Sequence, residues 1–132
     1  MLAAHNEIRA RAGVPALTWS DHLASLAGDW ADSLLKTGKF AHRPKNRYGE
    51  NVFEARGYRA SANEVVAEWA AEAKDYDRAK NTCRPGAICG HYTQLVWRTT
   101  KQVGCAVARG PQREVWVCNY NPPGNYVGER PF

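Results

Sequence analysis

No stretch of this 132-residue chain stays apolar for the roughly 20 residues that a bilayer-spanning helix requires, so no transmembrane segment is expected. The opening Met1-Leu2-Ala3-Ala4-His5 lacks both the basic start and the apolar stretch of a secretory signal. The sequence therefore reads as a mature fragment, and secretion requires an export signal outside these residues. Cys-x-x-Cys and His-Glu-x-x-His are both missing, which removes the short local signatures of redox and zinc-hydrolase sites. There are no internal repeats. Nor is there an aromatic-interleaved basic stripe or a known nucleic-acid motif, so nucleic acid is not an expected partner.

What remains fits one compact domain, residues 1–132, large enough to bury roughly two thirds of the surface its unfolded form exposes. A monomer is expected. Four cysteines in so short a chain point to two disulfides and an oxidising compartment, with three connectivities open. Segments 103–108 and 114–120 alternate or run apolar around Gly110-Pro111-Gln112, as a hairpin should. Folding about the Pro111-Gln112 midpoint puts Cys105 opposite Cys118, which leaves Cys83 with Cys89. In the chain-entropy account the hairpin ring contributes about 3 kcal/mol and the smaller loop somewhat less.

Residues 3–12 read as a short helix stopped by Gly13 and Pro15, and 21–37 as a longer one stopped by Gly38. In the second, Leu23, Leu26, Ala27, Trp30 and Leu34 recur at helical spacing and mark the core face. Ser61-Ala62-Asn63-Glu64 has capping-box spacing and opens a third helix, over 62–76, with Val65, Val66, Trp69, Ala73 and Tyr76 on its apolar face. A strand over 51–55 and the hairpin complete an α+β domain with helices packed on a small antiparallel sheet. Trp97, Trp116 and Tyr120 read as core.

Four ionisable residues stand out. Helical geometry puts Glu72 at the border of the third helix's apolar stripe, where a carboxylate needs a partner. His91 follows a disulfide loop, Glu50 opens a strand, and His42 follows the second helix. His5 and His22 fall in helices with no acidic motif around them. Two imidazoles and two carboxylates suit zinc, nickel or manganese, although every ligand would converge from a distant segment. The alternative is a polar network that satisfies buried hydrogen bonds. Cys83, Cys89 and His91 could nominally ligate zinc, and a cysteine could act as nucleophile beside His91, but paired sulfur is neither ligand nor thiolate. Asn51, Tyr92 and Gln94 either line a cleft or tie the loop to the sheet. The formal charge is +5, and Lys36, Lys39, Arg43, Lys45 and Arg47 form a basic segment without an intervening acid. It reads as a solvated loop face that can attract an anionic surface such as lipid headgroups.

Gly90-His91-Tyr92-Thr93-Gln94-Leu95-Val96-Trp97 and Cys118-Asn119-Tyr120-Asn121-Pro122-Pro123-Gly124-Asn125-Tyr126 resemble the two signatures of the CAP superfamily. That superfamily comprises cysteine-rich secretory proteins, antigen 5 and pathogenesis-related protein 1, and the likeness is nearest to the plant pathogenesis-related type. It runs from Ala4-His5-Asn6-Glu7-Ile8-Arg9 to Arg130-Pro131-Phe132. The resemblance implies an α-β-α sandwich, secretion, and the same two disulfides; the positions of the usual third plant disulfide fall near Gly38 and Gly110. It also implies a central cleft lined by His42, Glu50 of Gly49-Glu50-Asn51, Glu72 of Trp-x-x-Glu, and His91. In such a cleft His42 and His91 bind zinc or another divalent ion, with the glutamates nearby through water. A small lipid or sterol is the implied ligand, in defence or signalling. A metal-dependent hydrolase, with Glu50 or Glu72 as the base, is the alternative, and a non-enzymatic binding module is preferred. Plant relatives end in Pro-x-Gly-Asn-x-x-x-x-x-Pro-Tyr, proposed as a releasable signalling peptide. Phe132 replaces the final Tyr here. Composition would make residues 122–132 disordered, whereas the resemblance implies an ordered segment packed on the domain.

Overall fold

The structure is a computed structural model that describes all residues, 1–132. In chain order the elements are α1 (Leu2–Ala12), β1 (Thr18–Trp19), α2 (Asp21–Thr37), β2 (Gly49–Arg56), α3 (Ala62–Ala70), a 3-10 turn (Ala71–Asp75), β3 (Tyr76–Asp77), β4 (Thr82–Cys83), α4 (Gly90–Leu95), β5 (Gln102–Arg109) and β6 (Arg113–Asn121). The main sheet has the order β1-β5-β6-β2. Its three long strands are antiparallel, and the two-residue β1 adds a parallel pairing to β5. The helix stops behave as glycine stops should, since Gly13 and Gly38 take left-handed φ values of 77° and 72° that a side chain disfavours.

Alternation along the strands splits the core into two layers. On one face α2 lays Ala27, Ala31 and Leu34 against Val52, Val115 and Val117. Opposite it, Val65, Val66 and Trp69 of α3 and Leu95 of α4 cover Val103, Trp116, Cys118 and Tyr120, with α1 packed around them. The result is an α-β-α sandwich. Trp97, Trp116 and Tyr120 are buried as expected. Cys105 lies in register with Cys118 across the hairpin, and both disulfides, Cys105–Cys118 and Cys83–Cys89, are formed.

The third helix is shorter than its pattern predicts. The Ser61–Glu64 capping box is present, but the α-helix ends at Ala70 and tightens into the 3-10 turn, a common device at helix ends. Tyr76 leaves the helix to pair with Cys83, and its ring meets Tyr92 and Phe132. Ala73 is exposed as a consequence. The cause is tertiary: Glu72 is anchored to α4, and an ideal helix continued through Tyr76 could not also supply the β3 pairing.

The tail is ordered. Gly124 N–H donates to Gln94 Oε1 (3.1 Å), Asn125 Nδ2 donates to Gly90 O (2.8 Å), and Arg98 N–H donates to Pro131 O (2.7 Å). Phe132 closes it beneath the Arg78 guanidinium, 3.9 Å from the ring centre.

Where β5 crosses α2, the helix backbone passes so close that a Cβ on Gly104 would overlap Ser20, Leu23 and Ala24 main-chain atoms. Gly104→Ala is therefore expected to lower stability by about 1–3 kcal/mol in urea unfolding, because backbone on both sides must separate. Gly28→Ala serves as the control. Its added methyl would meet only the Ala106 Cβ at 3.6 Å, and the expected effect is neutral or stabilising by up to about 1 kcal/mol.

Candidate functional site

Each predicted carboxylate is found beside one predicted histidine. Glu50, the second residue of β2, has a side chain only 5% exposed and accepts from His42 Nδ1 at 2.6 Å. It also accepts from Arg43 N–H (3.1 Å) and Asn46 Nδ2 (3.2 Å), so it organises the whole 42–46 loop. Glu72 accepts from His91 Nδ1 at 2.7 Å and from the backbone N–H groups of His91 (2.9 Å) and Tyr92 (3.1 Å). These are first-turn amides of α4, whose N-cap Cys89 offers no side-chain bond. Glu72 therefore caps α4 from another segment, where a negative charge is favoured.

An ionised carboxylate only accepts, so the Nδ1 of each histidine must carry its proton. Nε2 is left as the ring's acceptor or metal ligand. His91 is further fixed by Trp69, whose ring lies nearly parallel to it at 6.0 Å while its indole N–H donates to Val52 O. His42 is 66% exposed, and the Glu50 hydrogen bond raises its pKa above the usual histidine value.

The two pairs belong to different layers. Glu50 shares the β2 face of Val52, toward α2, whereas Asn51 on the opposite face donates to His91 O (3.1 Å). A cavity of about 260 Å³ is lined by His42, Glu50, Gln94 and Asn125, reaching the residues that contact α4, but His91 is not in its lining. No three ligand atoms among the four residues come within 4.8 Å of one another. The one group that does, His5 with Cys105 and Cys118, contains disulfide sulfurs and is not a metal site. Cys83 and Cys89 are likewise paired, which removes the zinc and nucleophile alternatives at His91. Asn51 and Gln94 are buried and tie segments together, Gln94 Nε2 donating to Thr100 Oγ1, while Tyr92 packs against Tyr76 and Phe132.

Behind the site lies a network that the sequence did not disclose. His5, set aside as an isolated helical histidine, is fully buried; its Nδ1 donates to Met1 O (2.9 Å) and its Nε2 accepts from the Tyr120 hydroxyl (2.7 Å). Asn51 Nδ2 donates to the same hydroxyl at 3.3 Å. One turn along α1, Arg9 is equally buried and donates to the carbonyls of Pro15, Leu95, Trp97 and Thr100. Burial lowers its pKa to about 10, which still leaves it charged at neutral pH. The only sequence signal was the i, i+4 spacing of two polar residues in a helix whose only large apolar residues are Leu2 and Ile8.

A family model for CAP, the cysteine-rich secretory protein family, matches residues 2–120. The chain belongs to the CAP family. Pathogenesis-related protein 1A of Nicotiana tabacum is 45% identical to this CAP chain over 132 residues, covering 99% of it and 78% of the tobacco protein. The structure of Schistosoma mansoni venom allergen-like protein 4 superposes with a TM-score of 0.78 at 26% identity, covering 99% of this chain and 90% of that one. The crystal structure of NaASP2 with Zn2+ gives the same TM-score at 21% identity, covering 99% and 82%, a likeness of fold. The CAP sandwich expected from the two signatures is thus the observed one.

Burial lowers the pKa of His5 from 6.5 to about 4. Between those values the unfolded chain binds a proton that the folded CAP chain refuses. Stability is therefore full above pH 6.5, falls as the pH drops toward 4, and levels off below, a loss of about 3 kcal/mol. His42 acts in the opposite sense, its contribution being lost as pH rises through its raised folded value, and its exposure keeps that term small. Urea unfolding from pH 7 to 4 should show the His5 slope, and His5→Gln should flatten it while lowering stability at pH 7.

Proposed function

We propose that this CAP chain is a secreted, defence-related binding protein of the pathogenesis-related type, whose His42 and His91 hold a divalent cation such as zinc. The observation that carries the reading is the pairing of each imidazole Nδ1 with a buried or half-buried carboxylate. This carboxylate–histidine arrangement presets the tautomer and leaves Nε2 to ligate, as outer partners of metal-bound histidines do. In donor type, two imidazoles whose Nδ1 atoms are engaged and whose Nε2 atoms make no protein hydrogen bond suit zinc. When bound, the cation would supply a positive charge able to polarise a ligand oxygen. His42 and His91 would ligate; Glu50 and Glu72 would orient them and stay in their loop-holding bonds.

The same duties argue for binding over turnover. A hydrolytic zinc centre uses three protein ligands, whereas here the carboxylates serve the histidines and backbone amides. Secretion and defence are supported by the family description and by the tobacco relative's name, and two disulfides suit an oxidising compartment. For the small lipid or sterol, the supporting feature is a cavity of about 380 Å³ between α4, the Cys83–Cys89 loop and the tail, where Tyr76, Trp97 and Tyr126 adjoin Asn81 and Glu129. That mixture suits an amphiphile.

Zinc titrated into the metal-free chain at neutral pH should bind saturably, and His42→Ala with His91→Ala should abolish binding. Glu50→Gln or Glu72→Gln should weaken it by about 10–100-fold. Affinity should also fall with pH through the raised His42 titration, since a protonated ring cannot ligate. Equal heats from the parent and the double histidine variant would overturn the metal reading.

A further inference from the structure

Folding divides the basic 36–47 segment. Lys36 sits in the last turn of α2, and Lys39, just beyond, passes its carbonyl to Arg113. His22 sits in the first turn of the same helix, about 21 Å from Lys36 along the axis. Around it Arg43, Lys45 and Arg47 close a pocket of about 290 Å³ floored by Leu26 and Tyr48. No carboxylate lines this pocket. None of the three fixed cations forms an ion pair, whereas six of the chain's twelve arginines do.

Each cation is nonetheless positioned. Arg43 is half-buried and anchored by Nη1 to Leu26 O at 3.1 Å. Arg47 lies over the Tyr48 ring, its guanidinium carbon 5.4 Å from the centroid, and His22 meets the edge of the same ring. Lys45 occupies φ 55°, a left-handed conformation that glycine or asparagine would adopt at lower cost. Lys45 in that conformation, beside a half-buried arginine that makes no ion pair, gives a concave site with an excess of positive charge.

We propose that this pocket binds a phosphate monoester. Two guanidinium groups present the paired donors that match phosphate oxygens, and the ammonium adds a point charge. The volume lies at the lower end of small-ligand cavities, which are roughly 300–1,000 Å³, and only Leu26 and Tyr48 are apolar, so a headgroup-sized moiety fits and an acyl tail does not. Arg43, Asn46 and Tyr48 also line the His42–Glu50 cavity, so the two sites adjoin without sharing a histidine.

The test is an amide-shift titration with inorganic phosphate and with glycerol 3-phosphate, in EDTA and at constant ionic strength, which keeps the result independent of the metal reading. Saturable shifts centred on residues 22, 43, 45, 47 and 48 are expected. Arg47→Gln, which removes no hydrogen bond, should lose about tenfold in affinity or more, and Arg43→Gln with Arg47→Gln should lose more still. Lys36→Gln with Lys39→Gln removes the same charge from the far end of α2 and should leave affinity unchanged. Sedimentation with phosphatidylcholine vesicles, with and without phosphatidic acid, separates the sources. Arg47-dependent binding to phosphatidic acid assigns a membrane-presented phosphate, and binding of the free monoester alone assigns a soluble one. Non-saturable shifts, equal losses in the Lys36/Lys39 variant, or vesicle binding indifferent to Arg47 would overturn the proposal.

Discussion

The buried hydroxyl of Tyr120 ties α1 and β2 to β6. It donates to His5 on α1 and accepts from Asn51 on β2, and Asn51 in turn holds the His91 carbonyl in α4. Three segments remote in sequence are thereby referenced to one point on β6. The arrangement holds only while every donor has an acceptor: a buried network that is fully satisfied rigidifies its surroundings, and one broken member leaves costly unpaired groups. No buried side-chain polar atom in the chain lacks a partner. Arg9 extends the same logic with a charge, solvated by four carbonyls, two of them at the end of α4.

That frame explains why the two histidine–glutamate pairs are well held although they come from opposite layers of the sandwich. Glu50 and Glu72 each bind an imidazole and also backbone amides that shape the local loop or helix start. The same carboxylates therefore orient the imidazoles and hold the local backbone. These bonds leave the Nε2 atom of each ring without a hydrogen-bond partner in the chain. The tail contributes to this region too, since Gly124 and Asn125 are bonded to Gln94 and Gly90.

Much of the fold was legible beforehand because it rests on local rules. The reading of α2 follows from a 3.6-residue apolar stripe and Gly38, and the structure adds a Ser20 cap. The hairpin register follows from its turn, which placed Cys105 opposite Cys118. At the site, the likeness of motifs to the CAP family picked out His42, Glu50, Glu72 and His91, and the structure pairs them two by two. The early end of α3 was not legible, because alanine-rich sequence favours continuing the helix, whereas Glu72 is bonded to α4 and Tyr76 pairs with Cys83, both partners lying beyond the helix. Burial of His5 and Arg9 was equally hidden, since polar residues are read as surface until their partners are known.

The basic segment shows the same division on a smaller scale. As a string of residues it is one run of like charge, yet α2 separates its ends, and His22 joins one half from a position twenty residues upstream of His42. Sequence by itself determined α1, α2, the start of α3, strand β2, the hairpin with its disulfide register and the family, because each depends on periodicity, turn chemistry or motif within a short window. Tertiary structure alone decided which polar groups share a proton, which cations lack a counter-ion and where a helix yields to a distant carboxylate. Those outcomes depend on distances of about 3 Å between residues tens of positions apart, and hydrogen bonding and ion pairing act only at that range.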